Sequence, residues 1–452
     1  MSPKDHSNVT RTRNWPSLVS SLPPWRHVVA YAQSTILSVL GRVKVGHIKV
    51  TLLDGSVRDF GDIDAPKDQT ASIKVVTDVF WVRLAVWSAL GLGEGYMYSD
   101  IEVENLTGLL IILARNRENI ADGNVLPAGL NFLLNNFAHS RIPNTIMNAL
   151  GNIQAHYDLG NEMFASFLDP TMTYSCPIWA LEGEEGFEDD NLEKAQMRKI
   201  RAMIDKGCIS KDHHVLEIGT GWGALAIEAV RRTGCRVTSL TLSIEQKELA
   251  ERRIEEAGLS SRITVLLTDY RDLDPKEHQF DRILTVEMLE AVGPEFLPVF
   301  FRCCDALLST RDGILVLQVI TMPDARYQTY LRKIDFIQKH IFPGGHCPSI
   351  TALTNGIYEG SAGNLIVDRI DNIGPHYAKA LRLWREKFLA SFDRIASQGG
   401  MEHVYDDVFK RKWEFYFAYC EAGFATRTLG DIQMVLTRAG NMDSNLMRGI
   451  PM

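Results

Sequence analysis

No two cysteines in this 452-residue chain are spaced as CxxC, and no His/Cys cluster has the spacing of a zinc site. His213 and His214 are adjacent and so cannot share one face of a helix. The cysteines number seven, an odd count spread thinly over a long chain, which argues against a secreted disulfide framework and for a reducing, cytoplasmic setting. A positive charge balance is also missing. At a formal −8 there is no overall cationic field to gather phosphates, which argues against nucleic-acid binding by the whole chain and against strong anchoring on anionic lipid, where a local patch such as Arg198, Lys199 and Arg201 is the remaining aid. No stretch reaches the roughly 20 apolar residues a spanning helix needs. The nearest, Val79–Leu92 and Leu106–Ala114, are short and interrupted, and read as core helices before shallow membrane contact. Residues 1–15 are charged and do not read as a signal peptide. Repeats and low-complexity tracts are absent as well. What remains, 45% hydrophobic against 23% charged, is the balance of an ordinary globular protein, with length for about two or three domains.

The pattern along the chain divides it. Residues 1–23 read as a flexible arm. Residues 24–140 read as a small N-terminal α+β accessory domain: a helix to Leu40, half of a hairpin in VGHIKVTLLDG with Asp54-Gly55 as its turn, then helical patterns from Ile73 onward. From 141 to 438 a larger domain is expected, with a cofactor-binding core at about 190–320, where strand and helix alternate with short links. HHVLEIGTG, CRVTSLTLS, RITVLLTDY, FDRILTVEM and GILVLQVIT are its strands. That alternation marks a doubly wound, mostly parallel α/β sheet of the Rossmann type. After Thr321 the alternation stops, and an aromatic, helical segment at about 321–425 reads as a lid over the ligand crevice. Residues 439–452 read as a flexible tail.

The first strand runs into Glu217-Ile-Gly219-Thr-Gly221-Trp-Gly223. Its glycines let backbone approach a ligand at a helix N-terminus. A dinucleotide fingerprint wants glycine at 224, which is Ala, so the bend suits S-adenosylmethionine better than NAD. Glu217 fits the ammonium of the cofactor's amino-acid end. Thr241, Leu242, Ser243 and Gln246, after strand two, offer hydroxyl and amide groups to the ribose. Asp269 and Tyr270, after strand three, fit the adenine as acceptor and stacking ring, with a plain loop cap as the alternative for Asp269. The fold is therefore read as a Rossmann-type S-adenosylmethionine methyltransferase core carrying a helical lid and a small α+β domain.

HYDLGNEMFASFLDPTMTYSCPIW, EIGTGWG, TLSIEQ, TDYRDL, EMLEAVG, DFIQKHIFPGGHCPS and WEFYFAYCEAGFATRTLGDIQ follow one another in the chain. In order and spacing they resemble the cyclopropane-fatty-acyl-phospholipid synthases, a family that includes the mycolic-acid cyclopropane synthases. The resemblance runs from about residue 40 to about 438. It implies methyl transfer from S-adenosylmethionine onto the double bond of an unsaturated acyl chain of a phospholipid, followed by proton loss to close a cyclopropane ring. The chemistry passes through a carbocation, so water must be kept out, and aromatic walls help. The rings from Tyr157 to Trp179 and from Tyr327 to Phe342 fit that need, although core packing accounts for most such rings. The resemblance also implies a bound bicarbonate as base, held by Cys176, Glu290, Gln318, Ile320 and Tyr377. It places Tyr174 and Ser175 at the cofactor's carboxylate, and Cys420 where a cysteine nucleophile was once assigned. Cys176 and Cys420 read equally as packed small hydrophobes. Glu290 lies one helical turn after Glu287, so both can face the crevice. Two acids beside an anion repel it, so Glu290 is expected as a relay or a protonated partner, and Glu290→Gln as abolishing the product.

Two positions depart from the pattern: Gln318 and Ala291 stand where better-known members carry histidine. Glutamine donates a hydrogen bond but cannot take a proton. A methyl-branched or methylene product, or another lipid such as a sphingolipid or free fatty acid, or a specialised metabolite, therefore stays open. So does a non-enzymatic lipid sensor. Transient, peripheral contact with a membrane surface is expected, a homodimer is left open, and neither a metal nor a nucleic-acid partner is expected.

Overall fold

The computed structural model describes residues 23–121, 160–398 and 405–443, with Leu446. The expected N-terminal arm, Tyr157 with its HYDL neighbours, the end of the accessory domain and most of the tail lie outside the described residues.

The hairpin expected around Asp54-Gly55 is present. Strand β1 (His47–Thr51) pairs antiparallel with β2 (Val57–Gly61). The Asp54 carboxylate accepts from Ser56 N at 2.8 Å, and Gly55 takes the left-handed φ of 81° that the turn requires. The helical reading from Ile73 is corrected. Ile73 lies in β3 (Thr70–Val75), which runs parallel to β1 and antiparallel to β4 (Ile101–Glu104). Ala71, Ile73 and Val75 are buried while Lys74 is exposed, a period of two rather than 3.6. The four-stranded sheet has the order β2-β1-β3-β4. The apolar run after Thr77 does form core helices, Val79–Trp87 and Ala89–Met97, broken at Ser88 by a φ of 50°. Leu106–Arg115 is a third, capped by the Asn105 side chain, which accepts from Gly108 N.

The second sheet has seven strands in the order β10-β11-β9-β8-β5-β6-β7. Strands β5 (His214–Ile218), β6 (Arg236–Thr241), β7 (Ile263–Leu267), β8 (Arg282–Val286) and β9 (Ile314–Thr321) are parallel, as expected. The chain order reverses between β5 and β8, so the ligand crevice belongs at their carboxyl ends. The sheet does not stop at residue 320. Strands β10 (Leu365–Asn372) and β11 (Gly430–Arg438) complete it, with β11 antiparallel to both neighbours.

The expected lid at 321–425 is narrower as a result. Helix Ile350–Ser361 packs on helix Leu297–Leu307, and a Cβ on Gly360 would stand 2.5 Å from Pro298 O, so only glycine permits the approach. The segment after β9 and helices Pro375–Gln398 and Asp407–Ala425 set Phe342, Trp384 and Tyr416 against Tyr174, which lines the crevice. Those helices share one hydrophobic core with the accessory unit, running from Phe80, Trp81 and Leu109 through Phe164 and Phe167 to Trp384, Phe388 and Trp413. Polar ties cross the same junction. Tyr96 OH donates to Glu414 Oε2 at 2.7 Å, Thr107 Oγ1 donates to Glu421 at 3.0 Å, and Glu94 accepts from Lys339 at 2.7 Å and meets His340 at 3.0 Å. Gly93 sits at the closest point, where an added Cβ would lie 2.5 Å from the Phe336 ring and 2.8 Å from the Phe415 ring. Gly93→Ala is therefore expected to destabilise the protein by about 1–3 kcal/mol through overpacking, read as a lower urea midpoint at unchanged slope.

Candidate active site

The carboxyl ends of β5, β6, β7 and β8 enclose a crevice. At its floor Gly219, Gly221 and Gly223 all take left-handed φ angles, of 100°, 50° and 88°. A Cβ on Gly221 would meet no atom within 4 Å, because it would point into the open crevice, which is room kept for a ligand. Gly223 has a different task. It caps helix Ala224–Thr233 and lets it close on Ala250, 3.3 Å from the position a Cβ would take. Gly219 N and Thr220 N both donate to Leu240 O, which ties the bend to β6.

Acceptors and rings ring this floor. Glu217 is buried and accepts from the Ser239 hydroxyl; burial pushes its carboxyl up to about 8 against the opposing pull of Ser239 and Lys199. Thr241, Leu242 and Gln246 line the crevice, and Thr241 Oγ1 donates to Gln246 Oε1 at 2.9 Å. Ser243, expected beside them, is instead the N-cap of helix Ile244–Glu256, its hydroxyl accepting from Gln246 N. Asp269 lines the crevice but is also the cap of the turn after it, and both its oxygens accept from Arg271, at 2.8 Å from Nε and 2.7 Å from the guanidinium end. Oδ1 also accepts from Arg271 N at 2.9 Å, so Oδ2 is the oxygen that keeps a lone pair for a further donor. Tyr270 is buried edge-on against Phe300 and presents an aromatic wall.

Next to this crevice lies a group of acids, of which Glu287 and Glu290 are half-buried and Asp431 is buried. Glu287 follows β8 with a left-handed φ of 48°, rare for a residue with a side chain, and it lines the crevice. Its carboxylate collects three donors: Cys176 N at 2.7 Å, Gln318 Nε2 at 2.8 Å and Tyr377 OH at 2.8 Å. Glu290 accepts from Ile320 N at 2.6 Å, and its other oxygen is buried with no donor among the described residues. Burial and the nearby Glu287 push the Glu290 carboxyl up to about 8. Asp431, on β11 opposite Ile320, is fully buried, and neither of its oxygens meets a donor among the described residues. Burial and Glu287 raise it well above the usual carboxylate range. Gln318 is held in turn by Gln433 Nε2 at 3.0 Å.

A nucleotide-sized glycine cradle beside a group of acids and an aromatic-walled interior is the setting the sequence pointed to, and known proteins decide the family. The family model of mycolic acid cyclopropane synthetase matches residues 145–434. The chain belongs to the mycolic acid cyclopropane synthetase family. It is thereby an S-adenosylmethionine-dependent methyltransferase of the lipid-modifying kind. Tuberculostearic acid methyltransferase UfaA1 of Mycobacterium tuberculosis is 37% identical over 433 residues, covering 94% of this chain and 96% of that one. The cyclopropane-fatty-acyl-phospholipid synthase of Escherichia coli K12 is 34% identical over 380 residues, covering 81% and 88%. Among solved structures, mycolic acid cyclopropane synthase CmaA1 complexed with SAH and CTAB aligns at a TM-score of 0.56 and 29% identity, covering 64% of this chain and 98% of that one.

Of the residues that the family resemblance gathered around bicarbonate, Cys176, Glu290, Gln318, Ile320 and Tyr377 do converge. They converge on the protein's own acids. The donors of Cys176, Gln318 and Tyr377 are taken by Glu287, and that of Ile320 by Glu290. These residues leave no seat for a bicarbonate ion. Cys176 contributes its backbone; its thiol is buried and pushed well up by that burial and by Asp431 and Glu287. Cys420 is not part of this group, and burial with Asp335 raises its thiol, the opposite of what a nucleophile needs. Tyr174 and Ser175 line the crevice, with Tyr174 OH 2.8 Å from Tyr416 OH. The basic patch is corrected as well: Lys199 is buried, while Arg198 pairs with Asp190 and Arg201 with Glu228. Asp431 and Lys199 are the residues that sequence reasoning missed, while Glu287 was read only as a second acid able to face the crevice beside Glu290. Glu287 stands directly at the end of a parallel strand, a position that could have marked its larger part.

An ammonium is held by Glu217 only when that carboxyl is ionised. Because it is raised to about 8, its ionised fraction grows as pH climbs toward that value, and below it binding must release a proton. Calorimetric affinity for S-adenosylmethionine is therefore expected to rise by up to about tenfold per unit between about pH 6 and 8 and then level off. In Glu217→Gln the rise is expected to vanish.

Proposed function

We propose that this enzyme methylates a double-bond carbon of an unsaturated fatty acyl chain in a phospholipid, and that Glu287 accepts the proton the cation then loses. The observation that carries the reading is the Glu287 carboxylate, which faces the cofactor crevice and is fixed by three donors from separate parts of the chain. When bound, S-adenosylmethionine supplies an electrophilic methyl group on a sulfonium. The rest of the task falls to the residues around it. Tyr174 is flanked by Phe342, with ring centres 6.4 Å apart, and by Trp384 at 5.3 Å, which supports an interior that excludes water and stabilises positive charge. Glu290, kept neutral near pH 7, adds no second charge to repel Glu287. Gln318 orients Glu287 without competing for the proton.

Methyl addition to one carbon of the double bond leaves the cation on the other, and that cation has two exits. Loss of a proton from the new methyl group, with a bond from its carbon to the cationic carbon, closes a cyclopropane ring; a hydride shift that first moves the cation to the methylated carbon, followed by loss of a methyl proton, leaves a methylene branch. Either exit gives up a methyl proton, which suits Glu287 beside the crevice where the methyl group arrives, and the ring is favoured by the similarity to the E. coli synthase. The branch is the second reading, favoured by nearly full-length similarity to a protein named tuberculostearic acid methyltransferase. On either reading the enzyme meets its lipid at a membrane surface. Among the described residues no helix is long and apolar enough to cross a membrane.

The test is incubation with vesicles of an unsaturated phosphatidylcholine and methyl-labelled S-adenosylmethionine. Label is expected in the acyl chains. Glu287→Gln is expected to lower its incorporation at least about 100-fold without weakening cofactor binding. Glu290→Gln replaces a neutral carboxyl that only accepts from Ile320 N, so it is expected to stay within about tenfold of the parent, which revises the complete loss expected from sequence. Ozonolysis of the product separates the exits, since a methylene branch is cleaved and a ring is not. Acyl chains that stay unlabelled would sink the reading.

A further inference from the structure

Helix Leu192–Lys206 buries one stripe, made by Leu192, Ala195, Gln196, Lys199, Ile200 and Met203, and Lys199 is the one cation on it. Its side chain is 1% exposed and lines the crevice alongside Ser175 and Glu217. The ammonium donates to Ser175 Oγ at 2.6 Å. No carboxylate among the described residues lies within the 4.0 Å of an ion pair; burial lowers the Lys199 pKa, against the pull of Glu287, Asp431 and Asp169 from farther away. The neighbouring cations on the same helix are matched at contact distance, Arg198 by Asp190 at 3.1 Å and Arg201 by Glu228 at 2.8 Å. A buried ammonium with one hydroxyl for company is a costly arrangement unless an anion completes it.

The crevice indicates which anion. Glu217, a buried acid, lines it together with Lys199, next to the glycine bend. An acid and an ammonium in one small space match a zwitterion, the α-amino-acid group that ends S-adenosylmethionine. We propose that Lys199 binds the carboxylate of the cofactor while Glu217 takes its ammonium, so that the pair fixes the amino-acid end and with it the direction of the sulfonium. This rests on the family's use of the cofactor and is independent of which lipid is methylated.

Decarboxylated S-adenosylmethionine, which keeps the ammonium and sulfonium, isolates the contact. Calorimetry without lipid is expected to show the parent enzyme preferring S-adenosylmethionine over the decarboxylated form by about 10- to 100-fold, the size of a charge-assisted hydrogen bond in a buried site. In Lys199→Met the preference is expected to collapse to about onefold, through weaker binding of S-adenosylmethionine alone. Removing an uncompensated buried charge, this variant is also expected to melt no lower than the parent when free of ligand. Lys199→Arg, which keeps the charge, is expected to keep a preference. Absence of any preference in the parent would overturn the proposal, and that outcome needs no variant to fold. Equal weakening toward both ligands in Lys199→Met would also overturn it, by assigning Lys199 to the support of Glu287.

Discussion

One hydrogen-bond acceptor organises this molecule: the half-buried Glu287 carboxylate at the end of β8. It keeps one position only if its lone pairs are filled by donors that cannot move away. The chain supplies them from distant stretches. Cys176 N comes from the segment before the first core helix, Gln318 from β9, and Tyr377 from helix Pro375–Gln398. Each donor is itself pinned. Gln318 is held by Gln433 of β11, and the ring of Tyr377 lies 4.6 Å from Phe424. The left-handed backbone at Glu287 carries a strain of order 1 kcal/mol or more, which persists because these bonds over-determine it.

The accessory unit belongs to the same design. Its helices do not close a core of their own; they share one with the helices behind Tyr174. The chain of contacts reaches the acids through the segment after β9. Glu94 holds Lys339 and His340, Gln338 of that short helix donates to Gly345 O at 2.8 Å, and His346 N donates to Glu290 O at 2.8 Å. The aromatic wall is thus braced by the accessory unit, which suits an enzyme that must keep a cation dry.

The parallel strands and the glycine bend were legible because buried parallel strands are near-continuous apolar runs and because Gly219 and Gly221 have no substitute at their φ angles. The last two strands were not. β10 is an edge strand whose LIVDRIDN sequence is half exposed, and β11 begins Gly-Asp-Ile-Gln, which looks like a turn although Asp431 and Gln433 are fully buried. Family motifs located Cys176, Glu290, Gln318, Ile320 and Tyr377 but could not say what they bind, since that depended on where the side chain of Glu287 would land. Ser243 and Gly223 were carried by their motif into a binding role, whereas a cap and a helix contact explain them. Lys199 was misread as a surface base although its spacing from Ala195, Gln196, Ile200 and Met203 already put it on the inward stripe.

Across β9, β11 and β10 the polar side chains form one transverse row. Gln318 meets Gln433, Lys206 bridges Gln433 to Asp371 at 2.6 Å, and Asp431 shares the face of Gln433 two residues earlier. Side chains alternate along a strand, so this row has a parity. A one-residue insertion early in β11 would send Asp431 and Gln433 to the other side of the sheet and leave the Gln318 amide facing hydrocarbon. The C-terminal strand, more than 200 residues from the glycine bend in sequence and buried on both faces from Asp431 to Arg438, is therefore as fixed in length as it is in composition.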